Sequence, residues 1–272
     1  MLNPMVVAVI GLGFVGLTLS LALADRGVKV YGVETNPNTL KILSQGIPTF
    51  NENGIEHYLE RNIGKNFQVF AKLDEFPSQP DTYVICVATP IFEGTPNMSQ
   101  LKAATESVGK YFSGDELIII RSTSPVGTTR KFILPILAEE LQKRNIKKSI
   151  KIVFAPERTA EGVALKELNE LPQIVGGLDK ECAIKAIDLF RRITPTIIEV
   201  SSLETAEMIK LIDNSFRDVR FAYANEISVL AEKMGVDANE CITKANIHYQ
   251  RNNIPLPSPG VGGPCLSKDS YL

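Results

Sequence analysis

The chain has 272 residues, with 29 Lys and Arg against 31 Asp and Glu and a formal net charge of −2. That length supports a large core and more than one domain, and the near-balance of charge without a basic block excludes a nucleic-acid-binding surface. Every apolar run is too short to span a membrane, and Met1-Leu2-Asn3-Pro4-Met5 lacks the basic segment and small-residue cleavage site of a secretory leader.

Taken in chain order, the first two-thirds alternate short β-rich runs with helical stretches. Met5–Ile10 is a continuous apolar run, as expected of a strand covered on both faces. A helix over Phe14–Arg26 follows, then a strand over Val28–Val33 and a helix over Leu40–Ser44. Strands are predicted over Tyr83–Val87, Leu117–Ile120, Ile150–Phe154, Gln173–Val175 and Thr196–Val200. Helices are predicted over Gln100–Tyr111, Thr128–Lys143 and Lys180–Arg191. This alternation gives an α/β fold with a doubly wound parallel sheet. From Leu203 no breaker interrupts the chain until Gly235, so one helix of roughly 45 Å is expected, with Ser202 as its cap. Its apolar stripe, Ile209, Ile212, Phe216, Val219, Tyr223, Ile227, Leu230 and Met234, is a packing face for another domain or a second copy. A last helix is expected over Cys241–Ile247. The domain boundary is placed near Glu199, giving residues 1–198 and a helical domain over 199–272.

The four cysteines, Cys86, Cys182, Cys241 and Cys265, have no C-x-x-C spacing. That argues against a disulfide framework and a zinc site, and it suits a reducing cytoplasm; no metal is expected. The first three read as buried apolar filler. Cys265 differs, because it follows Gly260, Gly262 and Gly263 and precedes Lys268 and Asp269. Glycines let a backbone approach a ligand, and a nearby cation favours the nucleophilic thiolate.

Gly11-Leu12-Gly13-Phe14-Val15-Gly16 follows a predicted strand and opens a predicted helix. In that context the glycines make a dinucleotide turn of the Rossmann type. Gly11 forms the tight turn, Gly13 admits a pyrophosphate, and Gly16 lets helix and strand pack closely. Glu34 ends the second strand, where a carboxylate accepts both ribose hydroxyls and repels a 2′-phosphate, which favours NAD over NADP. FAD and the nucleotide part of a sugar nucleotide are rival ligands for such a turn. Thr89-Pro90 and Arg121-Ser122-Thr123-Ser124-Pro125-Val126-Gly127-Thr128 end two further strands, where ligands of open α/β sheets bind.

With these residues assembled, the chain resembles the UDP-glucose/GDP-mannose dehydrogenase family. The glycine turn, Val87-Ala88-Thr89-Pro90, Ser122–Thr128, Pro156-Glu157-Arg158-Thr159-Ala160-Glu161-Gly162, and Gly262-Gly263-Pro264-Cys265 with Lys268-Asp269 occur in the family's order. Ala206-Glu207-Met208-Ile209-Lys210 and Asn214 match its long central helix. The resemblance implies an NAD-dependent, four-electron oxidation of a sugar nucleotide's C6 alcohol to a carboxylate, serving polysaccharide biosynthesis. Cys265 would be the nucleophile. Lys210 and Asn214 would hold a water and stabilise the oxyanion, Glu157 would assist proton transfer, and Asp269 would orient the water and the lysine. Phe14, Val15, Thr89, Pro90, Ser122, Thr123, Glu161 and Lys268 would join the glycines and Glu34 in binding NAD, Thr123 and Glu161 near the nicotinamide and its ribose.

Arginine after the Pro156-Glu157 pair resembles the branch acting on UDP-N-acetylhexosamines such as UDP-N-acetylmannosamine, with Arg158, Arg251 and Gly262 as substrate contacts. UDP-glucose is the alternative substrate. The resemblance also implies a homodimer through the long helix and a further UDP-binding domain, which the 272 residues do not contain. Two other readings compete: a two-domain β-hydroxyacid dehydrogenase, which needs no cysteine, and a non-catalytic NAD-binding module.

Overall fold

A computed structural model of the chain describes residues 5–263 and 266–272. It divides into two compact units, Met1–Pro90 with Asn97–Met208 and Ile91–Pro96 with Ile209–Leu272.

The first unit begins with strand β1 (Val6–Ile10), helix α1 (Phe14–Asp25), strand β2 (Lys29–Val33) and helix α2 (Pro37–Ser44). α2 starts earlier than the apolar pattern implied. Asn36 caps it, its Oδ1 accepting from the Asn38 and Thr39 amides at 2.9 and 3.3 Å, and Pro37 occupies the first turn. Helix α3 (Ile55–Asn62) and edge strand β3 (Phe67–Phe70) come next. Both escaped the sequence reading because each is short; α3 buries only Ile55, Leu59 and Asn62. β4 (Thr82–Ile85) follows; the chain then makes a hairpin of β5 (Ile91–Phe92) and β6 (Thr95–Pro96), which belongs to the second unit, and resumes the first unit with α4 (Ser99–Tyr111) and β7 (Leu117–Ile120). The helix expected from Thr128 opens as a π-type turn, Thr129–Ile133, before α5 (Leu134–Lys143). Pro135 has no amide hydrogen to give to the preceding turn, so the regular helical ladder cannot run through it. β8 (Lys151–Phe154), α6 (Ala164–Glu170), β9 (Gln173–Gly177), α7 (Lys180–Phe190) and β10 (Ile197–Val200) complete the set.

Eight strands form one sheet in the order β10-β9-β8-β7-β4-β1-β2-β3. All neighbours are parallel except β8 and β9, which pair antiparallel through Val153–Gly177 and Phe154–Gly176. The sheet is thus predominantly parallel, as the alternation implies, with its antiparallel pairing there. The segment between these two strands returns on the side where β8 ends instead of crossing the sheet, which keeps residues 156–163 at the strands' carboxyl ends. One face, with Val7, Val9, Val84, Ile119 and Val153, packs under α1, α3, α6 and α7. α4 and α5 pack together apart from that cluster. Registers align Ile10 with Val33 and Ile85, Ile85 with Ile120, and Ile120 with Phe154. Gly11, Glu34, Cys86, Arg121 and Ala155 therefore emerge along one sheet edge.

In the second unit, α8 (Leu203–Met234) extends 32 residues, beginning in the first unit. Its start is capped by Ser202, whose Oγ accepts from the Thr205 amide at 3.1 Å, and Gly235 ends it at φ +71°. α9 (Ala238–Asn246) and α10 (Leu266–Asp269) follow. The predicted apolar stripe is not the buried face of α8 within this chain. Ile212, Phe216, Val219, Tyr223, Leu230 and Met234 are exposed, whereas Lys210, Leu211, Asn214, Ala224 and Ala231 are buried. Among the described residues no helix is long and apolar enough to cross a membrane.

Candidate active site

The glycine turn is built by backbone geometry. Gly11 takes φ +92° while its amide donates to Val33 O at 2.9 Å, which swings the chain off β1 into α1. A Cβ on Gly16 would lie 1.9 Å from Gly11 O, so only glycine lets α1 sit this close to the turn. A Cβ on Gly13 would meet nothing within 4 Å. Gly13 is the N-cap of α1 and offers no side chain to its amides, leaving the helix start to an external anion. Glu34 stands beside the turn, accepting from the Leu12 amide at 3.4 Å and from the Asn36 amide at 2.8 Å. The open space at Gly13, the uncapped helix start and this carboxylate fit a dinucleotide whose pyrophosphate crosses Gly13. Phe14 and Val15 supply the first helical amides there.

Three loops at the same sheet edge are tied to one another. Thr89 Oγ1 donates to Thr123 O, joining the Thr89-Pro90 loop to the one after β7. Ser122 donates from its amide and hydroxyl to Ile85 O at 3.2 and 3.3 Å. The Ser124 hydroxyl is buried without a partner among the described residues. Arg121, also buried, donates from Nη1 to Ala155 O at 3.1 Å and to Gln173 Oε1 at 2.8 Å; Gln173 Nε2 donates to Pro156 O at 2.9 Å. These bonds fix the backbone immediately before Glu157.

Glu157 is buried and accepts from the Thr159 amide. Glu52, another buried carboxylate, accepts from the Gly162 and Ala164 amides at 2.7 and 2.9 Å, anchoring the far end of this loop. Arg158 and Glu161 lie on its exposed side. Burial lowers the Arg121 guanidinium from its ordinary value, and the charge of Glu157 opposes that shift. Burial pushes the Cys86 thiol up to about 12, so this cysteine is structural.

In the second unit, Lys210 and Asn214 occupy one buried face of α8, four residues apart. Asn214 Nδ2 donates to Asp269 Oδ2 at 2.5 Å, and Lys268 Nζ pairs with Asp269 Oδ1. Three of the predicted residues thus form one network. Gly262 is exposed, with open space around it, and exposed Arg251 lies 5.9 Å from the Tyr249 ring. Cys265 and Pro264 lie outside the described residues. Among the described residues no group of His, Cys, Asp and Glu could hold a metal. Sequence reasoning gave no role to Arg121, Gln173, Glu52 or Glu207. Arg121 had a visible signal, a cation directly after the apolar strand Leu117–Ile120; the others acquire meaning only through contacts distant in sequence.

Residues 5–194 match the model of the NAD binding domain of the UDP-glucose/GDP-mannose dehydrogenase family, and residues 204–272 match that family's central domain. The chain belongs to this family. Its first unit carries the family's NAD-binding domain, so the cofactor is NAD and not FAD. A UDP-N-acetyl-D-mannosamine dehydrogenase of Campylobacter jejuni is 36% identical over 275 residues, 98% of this chain and 66% of that protein. An NDP-N-acetyl-D-galactosaminuronic acid dehydrogenase of Ralstonia nicotianae is 32% identical over 272 residues, 98% of this chain and 63% of that protein. The solved UDP-D-ManNAc dehydrogenase of Pyrococcus horikoshii superposes with a TM-score of 0.92 at 33% identity, covering 98% of this chain and 63% of that one. The chain therefore spans a little under two thirds of the length of the relatives it matches.

Proposed function

We propose that this chain carries the NAD-binding and central parts of a nucleotide-sugar 6-dehydrogenase whose substrate is a UDP-N-acetylhexosamine, with UDP-N-acetylmannosamine favoured. The observation that carries the reading is the buried polar face of α8, where Lys210 and Asn214 sit with Asn214 bonded to Asp269 beside Lys268. Burying such groups is costly unless they are paired or used, and Lys268 and Asp269 follow closely on the run that contains Cys265. The names of the relatives support the N-acetylhexosamine, and Arg158 is its proposed contact.

Bound NAD supplies a hydride acceptor at each of two successive oxidations. Between them the Cys265 thiolate adds to the C6 aldehyde, giving a thiohemiacetal whose oxidation leaves a thioester. Lys210 and the Asn214 amide stabilise the oxygen that gains charge at C6. Glu157 takes up a proton and directs the water that releases the carboxylate and regenerates the thiol. Per alcohol and water consumed, two hydrides leave C6 and one C–O bond is made. The reading extends to a dimer through the exposed apolar face of α8, to a cytoplasmic setting and to supply of uronic acids for polysaccharide assembly.

The test is NADH formation with UDP-N-acetylmannosamine, UDP-N-acetylglucosamine, UDP-glucose and GDP-mannose. It is run on this chain alone and on this chain joined to the remaining third of a relative. UDP-N-acetylmannosamine is expected to give the highest kcat/KM, and Cys265→Ser to abolish uronate formation. Full turnover by Cys265→Ser would return the reading to a simple hydride transfer of the β-hydroxyacid type. NAD binding without reduction by any of these sugars, in both formats, would leave only a binding module. A monomer by light scattering would refute the dimer.

A further inference from the structure

Glu207 is nearly inaccessible, 1% exposed. It lies on the second turn of α8, and its carboxylate points at the loop after β7. Oε2 accepts from the Gly127 amide at 2.5 Å; Oε1 accepts from the Thr129 amide at 2.8 Å and from Thr129 Oγ1 at 2.7 Å. One turn earlier, Glu204 Oε1 accepts from Arg130 Nε at 2.6 Å. Gly127 takes φ +91°, and its amide reaches Glu207. No side chain of its own caps the Thr129–Ile133 turn. A helix start of this kind attracts an anion, and here a carboxylate from a distant helix supplies it.

We propose that Glu207 is a positioning residue for the cofactor: its carboxylate caps the helix after the Ser122–Thr128 loop and thereby holds Ser122 and Thr123 against the nicotinamide end of NAD. Three donors converge on the two oxygens of one ionised group, and bonds to charged acceptors are stronger than neutral ones. Glutamine cannot replace it fully, since its amide nitrogen must face one of the backbone donors. Protonation has a similar effect, because it turns one acceptor oxygen into a donor. Burial already raises Glu207 above the ordinary glutamate value, opposed by its bonds to Thr129 and Gly127 and helped by the nearby charge of Glu204. The other charges facing it are Arg130, which pairs with Glu204, and Lys131, whose side chain passes Gly127.

Glu207 has this role only if Ser122 and Thr123 bind NAD, with Thr123 near the nicotinamide, as the family resemblance implies. The test therefore compares two ligands on the 272-residue chain, NADH and ADP-ribose, by fluorescence and calorimetry. Glu207→Gln is expected to weaken NADH about tenfold, the worth of roughly one hydrogen bond to a charged group, and to leave ADP-ribose within about twofold. Thr129→Val, which removes only the hydroxyl donor, is expected to weaken NADH by a smaller factor. In the wild type, the preference for NADH over ADP-ribose should decline on acidification, starting above the ordinary glutamate range, and in Glu207→Gln it should stay flat. This last comparison of wild-type affinities holds even if Glu207→Gln does not fold. Equal weakening of both ligands, or a wild-type preference that ignores pH, would overturn the assignment. Failure of the wild type to bind either ligand would instead overturn the cofactor reading, and this assignment with it.

Discussion

Alanine substitutions at Gly13 and Gly16 separate what the fold needs from what the ligand needs. In Gly16→Ala the new Cβ would lie 1.9 Å from Gly11 O and 3.0 Å from Gly11 C, and real Cβ contacts essentially never come under 3.0 Å. The obstructing atom is backbone of the turn itself, so the turn and α1 must move apart by about 1 Å. Overpacking of this kind costs ~1–3 kcal/mol, toward the upper end when backbone must shift. Alanine recovers about 1 kcal/mol of helix propensity, leaving a net loss of ~2 kcal/mol and a distorted pyrophosphate site. Gly13→Ala meets no atom within 4 Å, and Gly13 has φ −68°, which alanine adopts freely. Losing glycine at a helix cap costs about 1 kcal/mol, and the smaller entropy of the unfolded chain returns ~0.4–1 kcal/mol. Stability should therefore change little, while the methyl enters the space assigned to the pyrophosphate. At ~1–3 kcal/mol of clash, NADH affinity falls about 5- to 150-fold. Urea unfolding and NADH fluorescence titration on the same preparations measure both. Wild-type NADH affinity in Gly13→Ala would refute the pyrophosphate path; an undisturbed urea midpoint in Gly16→Ala would refute the packing role.

Three other outcomes are expected. Under native conditions at pH 8, Cys241, which is exposed, should react with an alkylating reagent, whereas buried Cys86 and Cys182 should resist until the protein unfolds; peptide mass mapping identifies the labelled sites, and early labelling of Cys86 would contradict its raised thiol value. Asn214→Leu keeps the bulk but takes a donor from Asp269, whose side chain is fully buried. The urea midpoint should fall by the equivalent of ~1–3 kcal/mol, and an unchanged midpoint would mean the contact contributes nothing. Because burial raises Glu207 above 4.5 in the folded protein, its contribution to stability is full below about that pH and is lost as pH rises through the folded value. Wild-type stability relative to Glu207→Gln should therefore fall between pH 4, where the protonated acid resembles the amide, and pH 7, and a difference independent of pH would rule out titration of this group.

Most strands and helices were legible because they announce themselves locally. β1, β4 and β7 are unbroken apolar runs, as a strand covered on both faces requires. α8 has no breaker between Ser202 and Gly235. What escaped was short or set by partners: α3 has too few buried residues to show a period, and β3 is an edge strand. The antiparallel β9 was unreadable because strand direction depends on the path of the preceding loop, not on composition.

By itself the sequence determined the glycine turn, the carboxylate at Glu34, the order of the strand-end motifs and the i, i+4 placement of Lys210 and Asn214. Each is a matter of local spacing, and local spacing fixes backbone geometry and helix faces. Only the tertiary structure decided which polar groups are buried together. Glu207 meets Gly127 and Thr129, Arg121 meets Ala155 and Gln173, and Asn214 meets Asp269, all across separations of more than 30 residues. It also turned the apolar stripe of α8 outward within this chain. Hydrophobic periodicity records that a face is to be covered, but not by what; that depends on contacts between segments far apart in the chain.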